Sequence, residues 1–154
     1  MFLFWNLSLI CRKKLYEKLN TEILKNTFFY TEFHGDLQFA NIIYSLKKDK
    51  FVYIDWRENF GESTDSGVLY YDLGKLYGGI LISYNLMTNE NNIRITENDN
   101  VIEYEYNTPE DLIKFKPEFE NWVKKLGLSL NHIKIVTALI YLNMSPLHDD
   151  NFSK

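Results

Sequence analysis

Thr31 to Gly61 reads TEFHGDLQFANIIYSLKKDKFVYIDWRENFG, and this stretch decides how the rest of the chain is understood. Asn41 to Leu46 and Phe51 to Asp55 are rich in β-branched and aromatic residues, with the solvated turn Lys47-Lys48-Asp49-Lys50 between them. That pattern predicts a β-hairpin. Asp36 precedes Asn41 by five positions on the loop leading into the hairpin, and Asp55 closes the second strand, which returns to the same place. Three oxygen-bearing side chains therefore converge. A short aromatic strand, Phe28-Phe29-Tyr30, delivers the chain to His34.

Upstream of this stretch, Leu3, Leu7, Ile10, Leu15, Leu19 and Ile23 recur at helical spacing with Lys and Glu between them, which predicts an amphipathic helix over residues 3 to 24. Downstream, residues 56 to 67 hold Gly61, Ser63, Thr64, Asp65, Ser66 and Gly67, the composition of a flexible polar loop. From Val68 to about Met87 the sequence VLYYDLGKLYGGILISYNLM is apolar almost all round, the signature of a buried helix. Gly74, Gly78 and Gly79 each cost such a helix roughly 1 kcal/mol relative to Ala, a loss that close approach of another backbone would offset.

Ile93 to Ile95 and Val101 to Tyr106 flank the polar run Thr96 to Asn100, predicting a second, exposed hairpin. Thr108-Pro109 with Glu110 and Asp111 starts a helix that should stop near Gly127; Pro117 inside it means either a kink or two shorter helices. Ser129 to Met144 is a last apolar helix, ended by Pro146. One α+β domain over residues 1 to 154, helical in its second half, is the economical fold.

Composition bounds the function. The 154 residues suffice for one core, and 45% hydrophobic with 25% charged is that of an ordinary soluble protein. A net charge of −4 and only one short basic cluster, Arg12-Lys13-Lys14, argue against nucleic-acid binding. The single cysteine, Cys11, excludes an intramolecular disulfide and fits a reducing cytoplasm. No run reaches the roughly 18 apolar residues of a membrane span.

Chemistry follows from the oxygen ligands. Phosphoryl transfer to a hydroxyl needs a carboxylate beside the attacking oxygen and hard oxygen ligands for Mg²⁺. Asp36 fits the first role, Asn41 and Asp55 the second. His34 reads as a ring packed beneath the loop, and Gly35 as a residue permitting a conformation that a side chain would hinder. Arg57 suits bidentate contact with a phosphate or anionic acceptor, or a salt bridge to Glu58, Glu62 or Asp65.

HGDLQFANII followed by FVYIDW resembles the aminoglycoside phosphotransferase and choline kinase group of the protein-kinase-like fold. The resemblance implies that Asp36 is the catalytic base, that Asn41 and Asp55 bind the metal, and that Asp72 of YYDLGKL supports the catalytic loop. It implies Mg²⁺ and ATP, or another nucleoside triphosphate, as cofactors, with a small-molecule hydroxyl as acceptor. IDWRENFG with YYDLGKL also resembles phosphotransferases of bacterial capsule and surface-polysaccharide synthesis, which points to a sugar-like acceptor.

Such enzymes carry an upstream lobe with a glycine-rich phosphate cover and a strand lysine. The residues before the first strand contain no glycine, so the chain is expected to be the C-terminal lobe alone. Three readings stand side by side: a phosphotransferase lobe, either truncated from a larger enzyme or completed by another chain, an inactive kinase-like module pairing with a partner, and a metal-dependent hydrolase using the same ligands.

Overall fold

The structure, a computed structural model, describes residues 29–82, 93–98 and 101–144. The predicted helix over 3 to 24, Cys11, the basic cluster at 12 to 14, the continuation of the buried helix to Met87, and Pro146 with the tail lie outside the described residues. The architecture is α+β, with three α-helices and three two-stranded antiparallel sheets among the described residues. No helix there is long and apolar enough to cross a membrane.

The chain opens with β1 (Tyr30–Thr31), passes a 3-10 turn (Phe39–Asn41), and forms a hairpin of β2 (Ile42–Ser45) and β3 (Lys50–Tyr53). The hairpin forms where it was predicted, but with Ile42 facing Tyr53 and Ser45 facing Lys50 the turn is Leu46 to Asp49, one residue earlier than expected, and Lys50 joins the second strand. Strand β4 (Gly67–Val68) then pairs with β1, Tyr30 opposite Val68 and Thr31 opposite Gly67. This pairing gives the polar loop before it more structure than its composition implied. Phe60 and Ser63 form a bridge, and the Phe60 ring meets Phe33 and Tyr71 edge-on at 5.6 and 5.2 Å. One aromatic side chain thus anchors a segment otherwise made of turn residues.

Helix α1 (Leu69–Leu81) follows without a break. Tyr70, Leu73, Tyr77 and Ile80 recur along one buried face and meet Phe119 and Val123 of α2 (Glu110–Lys125) and Ile133 of α3 (Leu130–Met144). Tyr77 stacks on Phe119 at 5.6 Å and donates its hydroxyl to Glu120 at 2.7 Å. Burial and that carboxylate push the Tyr77 hydroxyl well above the usual phenol range. The cost of Gly74 and Gly78 in α1 is offset by α3, while Gly79 gives room to the Phe39 ring. A Cβ on Gly74 would lie 3.3 Å from the Thr137 backbone nitrogen, and one on Gly78 would collide with the Tyr141 ring at 2.3 Å. Thr137 Oγ1 uses that proximity to donate to Gly74 O at 3.0 Å, and Tyr141 donates to Ile82 O at 2.6 Å.

Pro117 neither splits nor ends α2, which runs continuously from Glu110 to Lys125. The proline lies on the solvent side, where the carbonyl it leaves unpaired, that of exposed Ile113, can be hydrated. Helix α2 stops where glycine was expected to stop it. Gly127 has φ +72°, its N–H reaches Lys124 O at 3.0 Å, and Leu128 N–H reaches Val123 O at 3.2 Å. The second hairpin, β5 (Ile93–Asn98) with β6 (Val101–Tyr106), is longer than predicted, because Thr96 pairs with Glu103 instead of opening the turn.

Candidate functional site

The loop after β1 is fixed from beneath by α1. Asp72, buried in the first turn of that helix, accepts the backbone N–H of His34 at 2.7 Å and of Gly35 at 2.9 Å. Two peptide groups that no strand could satisfy are thereby held by one carboxylate. Gly35 takes φ +80°, and a Cβ there would sit 2.7 Å from Arg57 Cβ, so backbone and neighbour both demand glycine. His34 is only 4% exposed. Its ring lies 4.8 Å from that of Trp56, its Nδ1 accepts the Asp36 N–H at 3.3 Å, and its carbonyl accepts Arg57 N–H at 2.9 Å. The segment after Asp55 is thus pinned against the segment before Asp36.

Asp36 is the most heavily engaged side chain of the loop. Lys75 Nζ of α1 lies 2.6 Å from its Oδ1. Gln38 Nε2 and Asn41 Nδ2 donate to Oδ2 at 3.1 and 3.3 Å. With the Lys75 side chain 7% exposed and that of Asp36 18%, the pair is shielded from water, and removing one partner from such a pair costs about 3–5 kcal/mol. Asn41 also donates to Asp36 O at 2.9 Å, and the 3-10 turn is tightened by Asn41 N–H to Gln38 O at 2.9 Å. The spacing of Asp36 and Asn41 is therefore the spacing of one hydrogen-bonded turn. Because the amide nitrogen of Asn41 is spent on Asp36, its carbonyl oxygen is the atom left to face a ligand.

Asp55 differs in every respect. It is exposed, its carboxylate engages no other described residue, and it holds φ +58°, a left-handed conformation uncommon outside glycine. Ile54 N–H to Asn41 O at 3.0 Å extends the hairpin ladder by one bond, so Asp55 starts immediately beyond the residue paired with Asn41. Backbone strain of this kind collects at ligand-binding positions. Arg57 lays its aliphatic stem over Gly35, and its guanidinium pairs with no carboxylate among the described residues. Glu58, Glu62 and Asp65 do not claim it; Asp65 instead accepts Ser63 Oγ at 3.1 Å.

Sequence reasoning brought together His34, Gly35, Asp36, Asn41, Asp55, Arg57 and Asp72, and all seven lie on the loop, on the hairpin end or on the helix beneath them. It missed three neighbours. Lys75 could have been found, since Lys75 and Asp72 are the sole charges in an otherwise apolar helical stretch, and a buried ammonium requires a carboxylate. Gln38 sits inside the motif and left no signal. Tyr71 lies where the fields of the site overlap: burial raises its hydroxyl above the usual phenol range, Asp36 and Asp72 add to the rise, and Arg57 opposes it.

The donor set suits a hard cation. Amide and carboxylate oxygens from Asn41 and Asp55 match Mg²⁺, which takes one or two protein ligands and fills its remaining positions with phosphate and water. Among the described residues no three His, Cys, Asp or Glu side chains cluster as a complete metal cage. Compared with protein-family models, curated proteins and solved structures, the chain matches none.

Proposed function

We propose that this chain carries the acceptor-activating and cation-binding part of a phosphotransferase, which moves the γ-phosphate of ATP or another nucleoside triphosphate to a hydroxyl of a small sugar-like or amino-alcohol molecule. The observation that carries this reading is the contrast within one turn: a carboxylate, Asp36, held rigidly by three donors, beside an amide oxygen and a carboxylate, Asn41 and Asp55, left uncommitted. Phosphoryl transfer asks for that division between a positioned base and open oxygen ligands. The likeness of HGDLQFANII and IDW to the aminoglycoside and choline kinases supports it further.

In this reading Asp36 orients the acceptor hydroxyl and takes its proton as the oxygen bonds to phosphorus. Asn41 Oδ1 and the Asp55 carboxylate would hold Mg²⁺, which would offset phosphate charge. Arg57, unpaired with any described carboxylate, is free to bind a phosphate or an anionic group of the acceptor. Asp72 keeps the loop in register from below. The glycine-rich cover and strand lysine expected over the phosphates are to come from outside the described residues, from a partner chain in the simplest case.

Isothermal titration with Mg-ATP tests the assignment. Wild-type chain should give a weak but measurable heat that Asp55→Ala abolishes. Equal affinity in the two proteins, or no heat in either, overturns the reading.

A further inference from the structure

We propose that Lys75 is a positioning residue for Asp36, committing Oδ1 to the protein interior and reserving Oδ2 for the acceptor hydroxyl; the assignment rests on the phosphotransferase reading above. A carboxylate on a single carbon stem has a broad, two-fold terminal torsion, so either oxygen can turn outward unless something distinguishes them. Here something does. Oδ1 is shut off from solvent, and the partner it meets is the Lys75 ammonium at 2.6 Å. Among the described residues the only other polar partner of that ammonium is Met144 Sδ at 3.3 Å, a weak acceptor that cannot compete for a charge. Lysine and aspartate therefore fix each other, and the lysine is itself fixed by its place in the middle of α1.

Oδ2 has a different kind of neighbour. Asn41 Nδ2 reaches it at 3.3 Å while making its shorter bond, 2.9 Å, to the Asp36 backbone oxygen. Gln38 Nε2 reaches it at 3.1 Å from a longer, partly exposed side chain. An acceptor O–H replaces the Gln38 N–H on Oδ2 one for one. As the new O–P bond forms and the bond to the nucleoside diphosphate breaks, the hydroxyl proton passes to Oδ2. Lys75 touches neither acceptor nor phosphate in this scheme.

The test uses the full chain and its ¹H–¹⁵N spectra, in which the side-chain amides of Gln38 and Asn41 report the orientation of Oδ2. Lys75→Met keeps the stem and removes the charge. Both side-chain amide signals should move together in that variant, the backbone amides of His34 and Gly35 should stay because Asp72 holds them, and Lys75→Arg should bring the moved signals back. A folded Lys75→Met with Gln38 and Asn41 unmoved overturns the proposal, as does a folded Lys75→Arg that fails to restore them. A second measurement needs no lysine variant. The wild-type Lys75 ammonium signal should be protected from exchange with water and lose that protection in Asp36→Asn; an ammonium signal identical in the two proteins overturns the pairing. No nucleotide is present in these spectra, so their failure counts against Lys75. Loss of the Asp55 dependence of Mg-ATP binding counts against the phosphotransferase reading instead.

Discussion

Asp36 and Asp55 stand at the two ends of the same loop and hairpin, yet the protein treats them in opposite ways. Asp36 has an ammonium and two amides on its carboxylate, and the loop that carries it hangs from Asp72 by two backbone bonds. Asp55 is exposed, engages no described side chain, and sits on a left-handed backbone. The first is a group whose geometry is decided before any ligand arrives; the second is a group whose partners are still to come. A site that pairs the two keeps its base immobile and its cation ligands open, and the cost of ordering is met by folding on one side only.

Among the supports that hold the loop backbone, the contrast can be broken hardest at Asp72. Asp72→Ala leaves the His34 and Gly35 N–H groups buried without an acceptor, and should lower stability by about 3 kcal/mol, read from the midpoint of urea unfolding. A loss below about 1 kcal/mol would mean that the loop does not depend on the helix beneath it. Gly35→Ala comes next. The left-handed backbone alone costs about 1–2 kcal/mol for a residue with a Cβ, and the Arg57 stem has to move as well, so thermal and urea unfolding should both shift. Asp55→Gly sharpens the comparison from the other side with the smallest effect. Relief of the left-handed strain and the greater freedom of the unfolded chain nearly cancel, and stability should stay within about 0.5 kcal/mol of wild type in the same measurement.

The parts of this molecule legible in its sequence are those governed by short-range chemistry. The β2–β3 hairpin follows from two apolar runs around a lysine-rich turn, the end of α2 from Gly127, and the turn joining Asp36 to Asn41 from a spacing that one 3-10 turn satisfies. The glycines of α1 announced close neighbours without naming them, and the neighbours are α3 for Gly74 and Gly78 and the Phe39 ring for Gly79. What escaped the sequence depends on distant partners. Gly67-Val68 has no strand signal of its own and becomes β4 because β1 lies beside it. Pro117 looked like a break, but a helix held to the core by Phe119 and Val123 can carry a proline on its wet side. Lys75 is separated from Asp36 by the whole hairpin, so no local pattern joins them.

The pairing of Tyr30 with Val68 and Thr31 with Gly67 has a consequence for how this protein can change. The two short strands tie the ends of the stretch that runs from Glu32 to Ser66, so everything between them forms a ring closed at its base. Lengthening such a ring costs only a term logarithmic in its length. The exposed tip at Leu46–Asp49 therefore tolerates inserted residues, and with them an epitope or a reporter group, while the base of the ring stays shut. The same insertion between Asp36 and Asn41 would open the one turn that sets their distance. Two positions in one ring thus differ completely in evolutionary freedom, and what separates them is the four residues of β2.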